Sequence, residues 1–165
     1  MELTGSDASA AGELAHTYRA RCQWSGSTGH GYQQYRREHA ATADPAQDSL
    51  VLSADPAFLG QADRLNPEQL LVMAASSCQL LSFLAVAARG GVDVLAYVDD
   101  AEGVMPDHHP VSITRITLRP RIVVAAGPTV EQIHHLVELA HRHCYIANSL
   151  RTEVDVAPQV EFATG

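Results

Sequence analysis

Three observations predict an α+β fold for this chain. Two segments carry helical spacing of apolar residues, each behind a complete N-terminal capping signature. Short runs of alternating or β-branched character flank both of them. The length of 165 residues suits one domain with a substantial core, and no internal repeat or low-complexity linker divides it. The predicted order is βββ-α-ββ-α-β, a layered arrangement of antiparallel sheets with two main helices.

Residues 1–15 are small and polar and read as a disordered leader, leaving residues 16–165 as the single domain. The leader lacks the basic and apolar regions of a signal peptide. Residues 16–25 read as a strand, with Tyr18, Ala20, Cys22 and Trp24 at alternating positions. A Gly-rich turn follows, then strands at residues 32–43 and 49–53, giving an antiparallel meander. After a loop, Asn66 stands as an N-cap, Pro67 suits the first helical position and Gln69 completes a capping box. That helix should run to Arg89, where Gly90 and Gly91 stop it. It is apolar on almost every side, which predicts burial on almost every side and a core shared with a second subunit. Residues 92–103 and 112–125 read as two strands around a loop. Thr129 and Gln132 cap a second helix whose apolar stripe is Ile133, Leu136, Val137, Ala140 and Cys144. A break at Asn148 and Ser149 precedes a final strand at residues 154–160.

Composition narrows the function classes. The formal charge of −8 disfavours a nucleic-acid backbone or an anionic membrane as partner. No run of about eighteen apolar residues exists, so no membrane span is expected. Three cysteines without close spacing argue against a secreted disulfide framework and for a reducing, cytoplasmic setting.

Cys78 and Cys144 are the candidate chemical groups. Each could be a small hydrophobe filling the core, or the two could form a redox pair. The small neighbours of Cys78 (Ala74, Ala75, Ser76, Ser77, Ser82) allow close approach of another element. A buried thiol is inert unless a cation is near, and mid-helix Cys78 has little help from the helix dipole. Cys144, at the predicted C-terminal end of its helix, would be held as a thiol by the dipole. A redox-active pair would thus have Cys78 attack and Cys144 resolve. Glu68 in the first helical turn suits the dipole, which alone accounts for it, or could orient a catalytic arginine. Ten residues of helix rise about 15 Å, so Glu68 and Cys78 of one straight helix cannot share a site. Tyr35, Arg37 and His39 fall on one strand face and Arg36 on the other, as solvated surface or as part of a site. His134, His141 and His143 read as solvated helix residues, since no zinc-ligand spacing is present. No phosphate loop or dinucleotide fingerprint occurs, and no cofactor is expected.

The combination of Asn66-Pro67-Glu68-Gln69 with Cys78 ten residues after the glutamate, and a late-helix Cys144, resembles the OsmC/Ohr superfamily of osmotically inducible and organic hydroperoxide resistance proteins. The Trp24-Ser25-Gly26 turn, the Tyr35-x-Arg37-x-His39 strand and the Asp55-Pro56-Ala57-Phe58-Leu59-Gly60 loop resemble an OsmC-like branch of it. Arg64 and Leu65 stand where better-known members carry a Gly-Thr pair. The resemblance implies a homodimer with long central helices at its core and a thiol peroxidase site at the subunit interface. By carry-over Cys78 is peroxidatic, Cys144 resolving, and Glu68 holds the arginine that activates Cys78. Arg37 is the first choice for that arginine, with Arg36 and Arg64 as alternatives; Cys22 has no counterpart. The implied partners are a hydroperoxide substrate and an external dithiol reductant of lipoyl type. Two other readings stand beside it: a binding module for a lipid-like ligand with structural cysteines, and another cysteine-dependent enzyme.

Overall fold

The computed structural model describes residues 15–163. The leader expectation, apart from Ala15, falls outside them. Three three-stranded sheets and three helices make up the fold. The first sheet is the predicted antiparallel meander: β1 (Arg21–Gln23), β2 (His39–Thr42) and β3 (Ser49–Leu52). Its strands are shorter than expected. Tyr18 is exposed and outside any strand, and Tyr32 lies in a turn. The alternation of Tyr35, Arg37 and His39 nonetheless persists, each half-buried between exposed neighbours.

α1 (Pro67–Arg89) begins as the sequence dictates. Asn66 Oδ1 accepts from Gln69 N–H at 2.8 Å, and Gln69 Oε1 accepts from Asn66 N–H at 3.1 Å. Gly90 caps its end, and Gly91 follows at φ 70°. α2 (Val130–Arg142) carries the second capping box, between Thr129 and Gln132. It ends two residues before Cys144, the last residue of the expected stripe, and a short α3 (Tyr145–Ser149) occupies the segment where a break was expected.

Each remaining long strand divides in two. The chain forms β4 (Val94–Asp99) and β5 (Glu102–Val104), then β6 (Arg115–Leu118) and β7 (Pro120–Val124), then β8 (Glu153–Val156) and β9 (Gln159–Phe162). One member of each pair joins the sheet β4-β7-β9 and the other joins β5-β6-β8. The division points have physical causes. Pro120 and Pro158 cannot donate to a continuous ladder. At the first corner Asp99 accepts from Arg119 N–H at 2.6 Å and from Ser76 Oγ at 2.5 Å, tying two corners to α1. β4–β7 and β5–β6 pair antiparallel, but β6–β8 and β7–β9 pair parallel, because the chain returns through α2 and α3 as a helical crossover.

The core has two halves arranged along α1. Phe83 and Ala87 pack with Ile122, Val124, Ile133, Val137 and Ala140. Ala75 packs with Ile116 and Leu118, against half-buried Ile146, Leu150 and Val154. α1 is therefore covered on one face, not all round: 22% of its most apolar window is buried within the chain, and Met73 and Leu81 remain 50% and 63% exposed. By length and mean hydropathy (2.0) this helix could cross a membrane, contrary to the sequence expectation. Its packed face and its fully buried Gln79 instead give it the role of core helix.

The loop between β3 and α1 closes on itself, with its two ends hydrogen-bonded together. Ser53 N–H donates to Leu65 O, and Ser53 Oγ accepts from Gln61 N–H at 3.2 Å. A Cβ on Gly60 would fall 1.6 Å from Ala54 O, so only glycine fits there. Gly60→Ala should cost on the order of 2 kcal/mol through forced displacement of this loop. Thermal unfolding should show a midpoint several degrees lower; an unchanged midpoint would mean that the loop has room to shift.

Candidate functional site

The break between α2 and α3 sets the geometry of the cysteines. α2 packs on the C-terminal half of α1 and α3 on its N-terminal half. Cys144, the N-cap residue of α3, lies at the joint between the two. Cys78 is near the middle of α1, opposite that joint, and its Sγ accepts from Ile146 N–H at 3.5 Å. The two thiols are neighbours and unbonded.

Their environments differ. Cys144 is 1% exposed. Burial pushes its thiol up to about 11; the Ala147 amide at the start of α3 pulls it down, and the adjacent Cys78 thiol raises it further. The expected cause was the dipole at a helix C-terminus, and that is corrected here. Cys144 stands past the end of α2 and before the N-terminus of α3, so the local dipoles oppose one another and desolvation decides. Cys78 is half-buried and lines a cavity of about 790 Å³. The cavity wall is mostly apolar, from Leu81, Val86, Leu136, Leu139 and Ile146, with Arg89 as a cation and the His143 imidazole on its rim.

Arg37 and Glu68 meet elsewhere. Both line a second cavity, of about 400 Å³, with Trp24, Tyr35, His39 and Asp55. The Arg37 guanidinium donates to Tyr35 O and Tyr32 O, each at 2.8 Å, and lies over both tyrosine rings, 4.1 Å from the Tyr35 centroid and 4.7 Å from that of Tyr32. Trp24 packs edge-on against Tyr35. Glu68, half-buried, forms no ion pair with Arg37 within the chain. Arg64 instead pairs with Glu38 at 3.7 Å, and Arg36 offers only its carbonyl, to Trp24 Nε1–H at 2.7 Å. Of the three candidate arginines, only Arg37 shares a cavity with Glu68, and none lines the cavity of Cys78. Cys22 is exposed on β1 and lines neither cavity. Sequence reasoning missed Arg89 and His143. Arg89 was legible, since eleven residues bring it three turns along the Cys78 face of α1.

A family model described as OsmC-like protein matches residues 60–159, which include α1 to α3 and β4 to β8. The chain belongs to the OsmC-like family. Among solved structures, an OsmC-like protein of unknown function from Vibrio cholerae is 31% identical; the match covers 88% of this chain and 100% of that one, with a TM-score of 0.80. The organic hydroperoxide resistance protein OsmC of Legionella pneumophila shares the fold at 19% identity and a TM-score of 0.65, covering 90% of this chain and 99% of that one. The organic hydroperoxide resistance protein OhrB of Bacillus subtilis shares it at 17% identity and 0.59, over 88% and 98%. No functionally curated protein matched the chain.

The raised Cys144 pKa gives a direct expectation. Between pH 7 and about 11 the protonated thiol predominates, so alkylation of Cys144 by iodoacetamide should stay slow and rise with pH toward about 11. Exposed Cys22 should be labelled well ahead of Cys144. Peptide mapping after timed labelling checks this, and labelling of Cys144 as fast as Cys22 at pH 8 would contradict it.

Proposed function

We propose that the protein is a cysteine-based peroxidase that reduces organic hydroperoxides. The observation that carries this reading is the pair of opposed thiols, Cys78 open to an apolar cavity and Cys144 sealed behind it in the protonated state. The Cys78 thiolate attacks the terminal oxygen of R–O–O–H. The O–O bond breaks, the departing alkoxide takes a proton from solvent as an alcohol, and Cys78 is left as a sulfenic acid. The Cys144 thiolate formed on proton loss displaces hydroxide from that sulfur, giving the Cys78–Cys144 disulfide and water. An external dithiol, of lipoyl type, then returns both cysteines to thiols by exchange and is itself oxidised. The apolar wall favours an alkyl hydroperoxide over hydrogen peroxide.

The working unit of this mechanism is a homodimer in a reducing, cytoplasmic compartment. The uncovered apolar face of α1 and the separation of the two cavities support it. In the dimer, the Arg37 and Glu68 cavity of one protomer faces the Cys78 cavity of the other. Glu68 then orients Arg37 toward the Cys78 sulfur, which stabilises the thiolate and the charge building on the breaking O–O bond.

One equivalent of cumene hydroperoxide added to the reduced protein should remove two hydrogens and link Cys78 to Cys144 within one chain, as read by intact and peptide mass without reductant. Cys78→Ser should abolish peroxide consumption. Cys144→Ser should stop at a sulfenic acid that dimedone traps. Arg37→Gln should slow Cys78 oxidation by about a hundredfold. A protein that stays fully reduced, or that pairs through Cys22, would refute the mechanism.

A further inference from the structure

The Cys78 cavity has two chemically different ends. At one end Ile146 N–H meets Cys78 Sγ. At the other, Leu136 of α2 packs against the Gly90 turn, its Cδ2 3.8 Å from the position of a Gly90 Cβ. The wall between these two ends is apolar, from Leu81, Ala85, Val86 and Leu139. Arg89 lines the far end. It is exposed and makes no ion pair among the described residues.

An arginine in the last turn of a helix is favoured by the dipole alone. Three features go beyond that. Arg89 follows Cys78 by eleven residues, so both lie on one face of α1, about 16 Å apart along its axis. Helical side chains lean toward the N-terminus, which brings the guanidinium back over the groove and shortens that span. The chain carries a formal charge of −8, so an anionic ligand is repelled by the protein as a whole and needs a local cation to bind.

Resting on the peroxidase reading above, we propose that Arg89 is a specificity-determining residue. It binds the carboxylate of a linear amphiphilic hydroperoxide whose O–O group lies roughly ten carbons from the acid, the length that joins the two ends of the groove. Arg89 would thereby select free fatty-acid hydroperoxides over neutral ones and over their esters.

The test compares the full chain with Arg89→Gln and Arg89→Lys. Steady-state rates are measured with linoleic acid 13-hydroperoxide, its methyl ester and cumene hydroperoxide. For the acid, Arg89→Gln should raise KM about tenfold with kcat unchanged, while Arg89→Lys recovers part of the loss. The ester and cumene hydroperoxide should be unaffected. Equal loss on acid and ester, or no loss on the acid, overturns the proposal. A second arm is independent of turnover: calorimetric binding of dodecanoate against methyl dodecanoate to the reduced protein. Wild type should prefer the acid and Arg89→Gln should not. If no hydroperoxide is consumed but this preference holds, the peroxidase reading fails and the Arg89 site stands. If neither ligand binds and Arg89→Gln instead weakens self-association, the groove belongs to a second copy and the Arg89 proposal fails.

Discussion

Everything in this fold depends on covering α1. The helix is apolar around most of its circumference, yet the chain seals only the face bearing Ala75, Gln79, Phe83 and Ala87. The sheets cannot wrap further because each long strand turns a corner, so that one half-core forms against each half of the helix. What stays open is a stripe that includes Met73, Leu81 and Leu84, with Leu95, Val98 and Val104 exposed on nearby strands. Contiguous apolar surface of this kind marks a contact surface or a binding groove. Both uses appear in the reading above: a second copy against the outer stripe, and a substrate along the cavity edge.

The same division of the core creates the thiol pair. A single helix packed along the whole of α1 would put a continuous stripe opposite Cys78 and leave no special position there. Breaking the covering layer into α2 and α3 opens a joint, and Cys144 fills it. Asp99 holds the opposite side of that region, binding Ser76 two residues before Cys78 and the corner amide of Arg119. Gln79, next to Cys78, is fully buried and donates to Val137 O across the α1–α2 contact at 3.2 Å. A buried polar side chain that pairs with a main-chain carbonyl fixes the register of the two helices. The relation of the cysteines thus follows from hydrogen bonds that flank them, and not from their own packing alone.

The elements that were legible in the sequence are those with local causes. Both capping boxes and the Gly90 stop depend on residues a few positions apart, and each formed where its signature lay. The strand corners were not recognised, although Pro120 and Pro158 marked two of them. Alternation continues through a corner, so periodicity alone shows one long strand. The parallel pairings were not legible, because they are set by where the chain returns after α2 and α3. For the site, Glu68 and Cys78 line different cavities, as the rise of α1 implied, and Arg37 and Arg36 differ in exposure, although both stand before β2 and not in the strand expected there. No local pattern could show that Arg37 would rest on Tyr32 and Tyr35, since that contact closes a turn whose shape depends on Gly31 at φ 89°.

The two cysteines sit in unequal environments, and the cause differs from the one expected. Helix-end electrostatics would have been a modest effect, falling off within one turn and offset by the amides of α3. Burial is the stronger influence, because it removes the water that a thiolate needs. The distinction has a consequence for the order of events. A thiol kept neutral by desolvation ionises only when its surroundings open or when its proton has somewhere to go. In a resolving role Cys144 would therefore stay silent while Cys78 is reduced. It would become competent once Cys78 carries an oxidised, polar sulfur beside it and the joint between α2 and α3 loosens. A dipole-held thiol would have no such gate. On the proposed mechanism, the break at His143 and Cys144, which the sequence pattern ran straight through, would be the part of the fold on which the order of thiol reactions turns.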